Sequence, residues 1–290
     1  MIVYARRASA ILYNLLRTRG DARPYLMPAN VCPIVPETFA AAGQAFEIVD
    51  VAEPWLELDT GACAARLRES AGGYAGVLFV HPYGSTREAT PFFEELRALQ
   101  PDLFLIDDKC LCRPDCDGAA LSPLADATLF STGRAKYADL GGGGFAHVAA
   151  EYREFGGTVR EWLDLHPPEV PWDEYRRRTE AESAEADAQK QALNAIYAEL
   201  LPRAIQLPPE LHRWRFNIRV RESERLVAAI FEAGLFASRH YPSLRGAEFP
   251  VAHGVQRGIV NLFNDRYFDE RRARLAAEIV VRHVDATAAR

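Results

Sequence analysis

The sequence predicts an α/β fold: a large, mostly parallel sheet covered by helices, followed by a small C-terminal α+β domain. Three observations predict it. Apolar runs alternate with helix-period segments as far as about residue 150. The runs at 76–80 and 103–106 are apolar at successive positions, the pattern of strands buried on both faces. Beyond residue 150 a stretch at 172–200, free of Gly and Pro and rich in Glu, Arg, Ala and Gln, reads as one long helix.

The elements follow in order. Residues 9–17 read as a helix stopped by Gly20, and 25–27 as a short strand. Residues 33–42 form a helix closed by Gly43, because glycine accepts the left-handed conformation of a helix end. A strand at 46–49, a helix at 61–70, a strand at 76–80 and a helix at 88–99 continue the alternation. Strands at 103–106, 127–130 and 145–148 complete the large domain, residues 1–165. Residues 166–209 hold the long helix and a linker broken by Pro202, Pro208 and Pro209. The small domain, 210–290, reads as a strand at 214–220, a helix at 223–233, a strand at 258–263 and a helix at 269–284.

Composition bounds the function. With 290 residues, 49% apolar, 26% charged and a net charge of −6, the chain is an ordinary globular protein without a basic nucleic-acid footprint. No apolar run approaches the roughly 20 residues of a membrane span, and the first residues lack a signal-peptide pattern. Five cysteines, an odd number, suit free thiols in a reducing cytoplasm. No nucleic-acid or membrane partner is expected.

The segment from Leu129 to Lys136 places one lysine just after an apolar run ending in Ser131, and Gly141 to Gly144 follow. Asp107 and Asp108 end another buried run, 28 residues before Lys136 counting from Asp108. A loop lysine and a strand-end carboxylate are what pyridoxal phosphate (PLP) chemistry needs. The lysine holds the aldehyde as a Schiff base, and the carboxylate keeps the ring nitrogen protonated. In open α/β sheets, ligands bind at the carboxyl ends of strands, where His81, Asp108 and Ser131 fall. Alternation along the strand does not settle whether Asp107 or Asp108 meets the ring.

These residues, with others in the same order, resemble the DegT/StrS-type sugar aminotransferases, PLP enzymes of fold type I. Pro28-Ala29-Asn30-Val31-Cys32-Pro33 resembles the family's loop after its first sheet strand. Ala42-Gly43 with Val49-Asp50, and Val80-His81-Pro82-Tyr83-Gly84, resemble two further segments. Ile106-Asp107-Asp108 is similar to the family's "IED", and the resemblance favours Asp108 as the partner of the pyridine nitrogen. Phe130-Ser131 through Lys136 is similar to its "FS…K", and His240-Tyr241-Pro242 to its "HYP". The resemblance implies Lys136 and Asp108 as catalytic residues. It implies Lys136, Asp108, Ser131, Ala8, Ser9, Cys32 and His81 around the cofactor, and a homodimer with shared active sites.

Three positions depart from the family. Arg7-Ala8-Ser9 stands where a Ser-Gly-Thr cluster binds phosphate, though the amides of Ala8 and Ser9 and the Ser9 hydroxyl can replace it. Cys32 stands where an aromatic stacks on the ring, and Leu111 where a glutamine is common. These departures keep two alternatives open: elimination or other Cα chemistry on the same cofactor in a biosynthetic pathway, and a non-catalytic binding protein of this fold.

Other features have plainer readings. Cys110, Cys112 and Cys116 lack a clear fourth ligand and are expected to hold no metal. His81 either approaches the cofactor or is a satisfied strand-end histidine. Arg176 to Arg178 read as a solvated helix face paired to Glu180 and Glu182. Arg239 and His240 either bind substrate or belong to a surface loop.

Overall fold

A computed structural model describes residues 1–288. Its elements run β1 (Ile2–Ala5), α1 (Ala8–Arg19), β2 (Tyr25–Pro28), α2 (Ile34–Ala42) and β3 (Phe46–Val49). There follow the short strands β4 (Val51–Ala52) and β5 (Glu57–Leu58), then α3 (Thr60–Glu69), β6 (Gly76–Val80), α4 (Thr90–Leu99), β7 (Phe104–Asp108), β8 (Ala127–Ser131) and β9 (Gly144–Val148). A short hairpin of β10 (Thr158–Arg160) and β11 (Leu163–Asp164) leads to α5 (Trp172–Leu200). The C-terminal part is β12 (Phe216–Arg219), α6 (Ser223–Glu232), β13 (Ala237–Arg239), α7 (Pro250–Gly258), β14 (Ile259–Leu262) and α8 (Glu270–Ala288).

The seven-stranded sheet has the order β1-β9-β8-β7-β6-β2-β3. Strands β8, β7, β6, β2 and β3 are parallel, and β9 runs against both of its neighbours. The sheet is therefore the mostly parallel one that the doubly apolar runs predict. Leu105, Ile106, Leu129 and Phe130 are buried, because helices cover both faces. One core joins α1 and α2 to the sheet around Ile11, Leu15, Met27 and Ile106. Another joins α3 and α4 to it around Leu67, Phe79 and Phe93.

The small sheet has the order β12-β14-β13 and packs with α6 and α8. The C-terminal half of α5, through Leu193, Ile196 and Tyr197, belongs to this second core. The sequence predicts no element at β1, β4, β5, β10, β11, β13 or α7. Strand β1 forms because it pairs residue for residue with β9, from Ile2 opposite His147 to Ala5 opposite Gly144. Strand β13 pairs with β14. Helix α7 hides behind His253, Gly254 and Gln256, and it buries Ala252 and Val255. Gly258, read as the start of a strand, ends that helix.

Candidate active site

The carboxyl ends of β7 and β8 and the starts of α1 and α2 enclose a cavity of about 550 Å³. Its wall includes Ser9, Cys32, Asp108, Ser131 and Lys136. A volume of this size suits a small-molecule ligand.

Asp107 and Asp108 point to opposite faces, as successive strand residues must. Asp107 is fully buried and accepts a hydrogen bond from His81 Nε2 at 2.7 Å. Asp108 lines the cavity, where its Oδ1 accepts the Cys110 amide at 2.9 Å. Burial, with the Asp108 carboxylate beside it, pushes the Cys110 thiol well above its ordinary range. His81 does not reach the cavity. Its Nδ1–H donates to Ser85 O at 3.1 Å and its other nitrogen is taken by Asp107, so the ring holds the turn behind β7.

Lys136 sits in the loop between β8 and β9. Ser131, at the strand end, accepts the Gly133 amide at 3.4 Å, and the Lys136 amide donates to Gly133 O at 3.2 Å. The Asp139 carboxylate accepts the amides of Ala135 and Gly141, each at 2.9 Å, and fixes the loop's return. The glycine run then meets α1. A Cβ on Gly144 would lie 2.7 Å from the Ala8 Cα, and one on Gly143, at φ +98°, 2.7 Å from Thr132 Oγ1. Only residues without a side chain let β9 pass this close to the start of α1.

Helix α1 begins without a side-chain cap and has no acidic residue in its first turn. Among the described residues, no protein oxygen accepts the Ser9 amide. Such a helix start favours an anion.

The chain contains only three lysines among its 34 Lys and Arg residues. Lys109 donates to Ala120 O at 3.0 Å and lies 3.6 Å from Asp107 Oδ2. Lys190 is buried and donates to Trp214 O at 2.8 Å and Asn264 Oδ1 at 3.1 Å. The Lys136 amine makes no hydrogen bond or ion pair among the described residues. An uncommitted amine, a cavity-facing carboxylate, a strand-end hydroxyl and an uncapped helix start in one wall fit the aldehyde, ring nitrogen and phosphate of PLP.

The small domain reaches this site through residues 240–244. His240 Nε2–H donates to Asn30 O at 2.8 Å, and its Nδ1 accepts from the Tyr83 hydroxyl at 2.7 Å. With both nitrogens committed to the chain, His240 is a docking residue. Burial pushes its ring down to about 4. Leu244 N–H donates to Ala29 O at 3.0 Å. Burial, with the Cys32 thiol next to it, pushes the Tyr241 phenol up. Sequence reasoning missed this role of Tyr241, although it sits in the segment that carried the resemblance. Arg239 pairs with Glu224 at 2.6 Å, away from the cavity.

The remaining features are accounted for. Arg176 pairs with Glu180 at 2.7 Å and with Asp117 at 2.6 Å, whereas Glu182 pairs with Arg266 at 3.0 Å. All five cysteines are free. Cys112 is buried with its thiol 3.5 Å from Ser85 O, and Cys116 packs against Phe130, Phe145 and Tyr175. Among the described residues no group of three or more His, Cys, Asp or Glu could hold a metal ion. No described helix is long and apolar enough to cross a membrane.

Solved structures share this architecture over nearly the whole chain. An aminotransferase from Streptoalloteichus hindustanus is 14% identical with a TM-score of 0.77, over 99% of this chain and 86% of that one. A DegT/DnrJ/EryC1/StrS aminotransferase from Brucella abortus is 16% identical with a TM-score of 0.74, over 98% of this chain and 86% of that one. A sugar aminotransferase from Micromonospora echinospora is 14% identical with a TM-score of 0.68, over 96% of this chain and 86% of that one. No protein-family model matches the sequence, and no curated protein is similar to it in sequence.

Proposed function

We propose that this chain, which has the fold of the PLP-dependent DegT/StrS-type aminotransferases, is a PLP-dependent aminotransferase. It moves an amino group from an amino donor to a small keto acceptor. One observation carries this reading: of three lysines, only Lys136 has an uncommitted amine, and it shares a cavity with Asp108. PLP supplies an aldehyde that reacts with amines and a ring that accepts electron density.

The chain's own residues supply the rest. Lys136 anchors the cofactor through Nζ. With PLP bound there, the Lys136 Nζ, freed by a substrate amine, would carry a proton from the substrate Cα to the cofactor's C4′ carbon. The Asp108 carboxylate accepts the hydrogen bond of the ring nitrogen and keeps it positive. Ser131, the Ser9 hydroxyl and the amides of Ala8 and Ser9 hold the phosphate at the start of α1. Cys32 forms the wall beside the ring, where its small side chain leaves room. Residues 1–165 act as the cofactor domain, 166–209 as the connection and 210–290 as the small domain. Keto-sugars are the acceptor class suggested by the sugar aminotransferases of this fold. The free thiols suit work in a reducing cytoplasm.

Adding PLP to the purified protein is expected to produce a visible absorption band, and borohydride to fix the label on the Lys136 peptide. Label on Lys109 or Lys190, or no label, rejects the reading. The small, non-aromatic wall at Cys32 favours one second reading, elimination or related Cα chemistry. Mass spectrometry of products from candidate amino donors separates the two: transamination gives the matching keto acid and leaves the donor's side chain intact.

A further inference from the structure

We propose that Lys190, acting through Trp214, is the positioning residue for the loop that presents Lys136. The inference rests on Lys136 being the cofactor lysine.

Lys190 lies on α5 and is only 4% exposed. Its amine donates to Trp214 O at 2.8 Å and to Asn264 Oδ1 at 3.1 Å, and it lies 5.2 Å from the centroid of the Tyr137 ring. An ammonium has three donors, and these three partners occupy them. Trp214 is fixed again by its amide, which donates to Tyr83 O at 2.9 Å in the turn after β6. Its indole Nε1–H donates to Ala135 O at 2.6 Å.

Ala135 immediately precedes Lys136 and holds φ at +59°, a left-handed conformation that a residue with a side chain keeps only under outside restraint. On the other side of Lys136, the Tyr137 hydroxyl donates to Asp187 Oδ1 at 2.6 Å, less than one turn before Lys190 on α5. Both chain neighbours of Lys136 are thus tied to the helix that carries Lys190. Lys136 and Lys190 also line a common second cavity of about 130 Å³. Burial, with the Arg215 guanidinium nearby, brings the Lys190 amine down to about 7. A residue that only filled space would not need a buried amine.

The test uses the full chain with Lys190→Met, Trp214→Phe and the double variant. Phe keeps an aromatic ring beneath Arg215 and loses the indole donor. In the protein without cofactor, acetic anhydride labels amines, and the three lysines resolve by mass spectrometry. Lys136 acetylation, referenced to Lys109, is expected to rise about threefold in both single variants, and the Kd for PLP about tenfold. The double variant is expected to be no worse than the more severe single one, because the two residues form one chain of contacts. A lower melting temperature with acetylation and Kd unchanged would make Lys190 purely structural and overturn the proposal. Effects in Lys190→Met but none in Trp214→Phe overturn the route through Trp214, as do additive effects. Should Lys190→Met fail to fold, Trp214→Phe alone decides. If the unaltered protein binds no PLP, the functional reading fails and the acetylation measurement still decides the positioning role.

Discussion

At the residue scale, the site rests on separating two adjacent carboxylates. Asp107 is spent on His81 at 2.7 Å, and Asp108 is left to the cavity. Asp108→Asn keeps the size of the side chain and removes its charge. The fold is expected to persist, with turnover down by roughly 10²–10³, the range for losing one preorganised electrostatic partner. Asp107→Asn is expected to act instead on stability, because it weakens a fully buried contact with His81. A melting curve and a rate for each variant check the division, and equal rate losses would reject it. Lys136→Met is expected to abolish covalent PLP attachment with little change in melting temperature, because the amine has no partner to lose. Retained turnover would end the assignment. Both carboxylates were legible in the sequence as a pair, but their division was not. It depends on which face of β7 meets His81 and which meets Lys136, and those residues are 26 positions upstream of Asp107 and 28 downstream of Asp108.

At the element scale, the glycine run separates into positions that are needed and positions that are free. Gly144→Ala sets a Cβ 2.7 Å from the Ala8 Cα, so either β9 or the start of α1 must shift. A loss of about 1–3 kcal/mol is expected, together with weaker binding of PLP but a smaller loss for pyridoxal, which lacks the phosphate. Gly142→Ala, whose Cβ would have only Arg6 O at 3.9 Å, is the control and is expected to leave both unchanged. The docking segment gives a pH signature. His240 is held down to about 4 against an ordinary 6.5, and His212, stacked on Phe216, likewise. Between these values the unfolded chain binds protons that the folded chain refuses. Their contribution to stability is therefore complete above about pH 6.5 and is lost as the pH falls towards 4. Melting temperatures from pH 7.5 to 4.5 are expected to fall, with a shallower slope in His240→Gln. An equal slope would remove His240 from the account.

At the scale of the whole molecule, the small domain docks beside the cavity through residues 240–244, on the loop that carries Asn30 and Cys32. Arg7 and Arg134, both exposed, line one side of the cavity, together with Gly141 and Gly142. We expect a two-fold dimer whose partner chain closes this side, with an interface above the ~1,600 Å² of a standard complex. Light scattering at micromolar concentration checks it. A stable monomer that binds PLP and turns over would reject the shared site and leave the fold standing.

The sequence by itself determined the parallel sheet, the long helix α5 and the presence of a loop lysine after one strand and a carboxylate at the end of another. Each of these is written in local periodicity. Residues such as Leu105 and Ile106, or the Gly- and Pro-free run of α5, carry the burial of both faces or the helical period in their own order. Only the tertiary structure decided that Ile2–Ala5 is a strand, that α7 is a helix, that His81 supports Asp107, and that Lys190 and Trp214 reach the Lys136 loop. These depend on partners from 24 to more than 140 residues away, such as Val148, whose carbonyl accepts the Met1 amine at 2.7 Å. A hydrogen bond across that separation leaves no period in the chain, because its geometry exists only once the sheet has brought the two ends together.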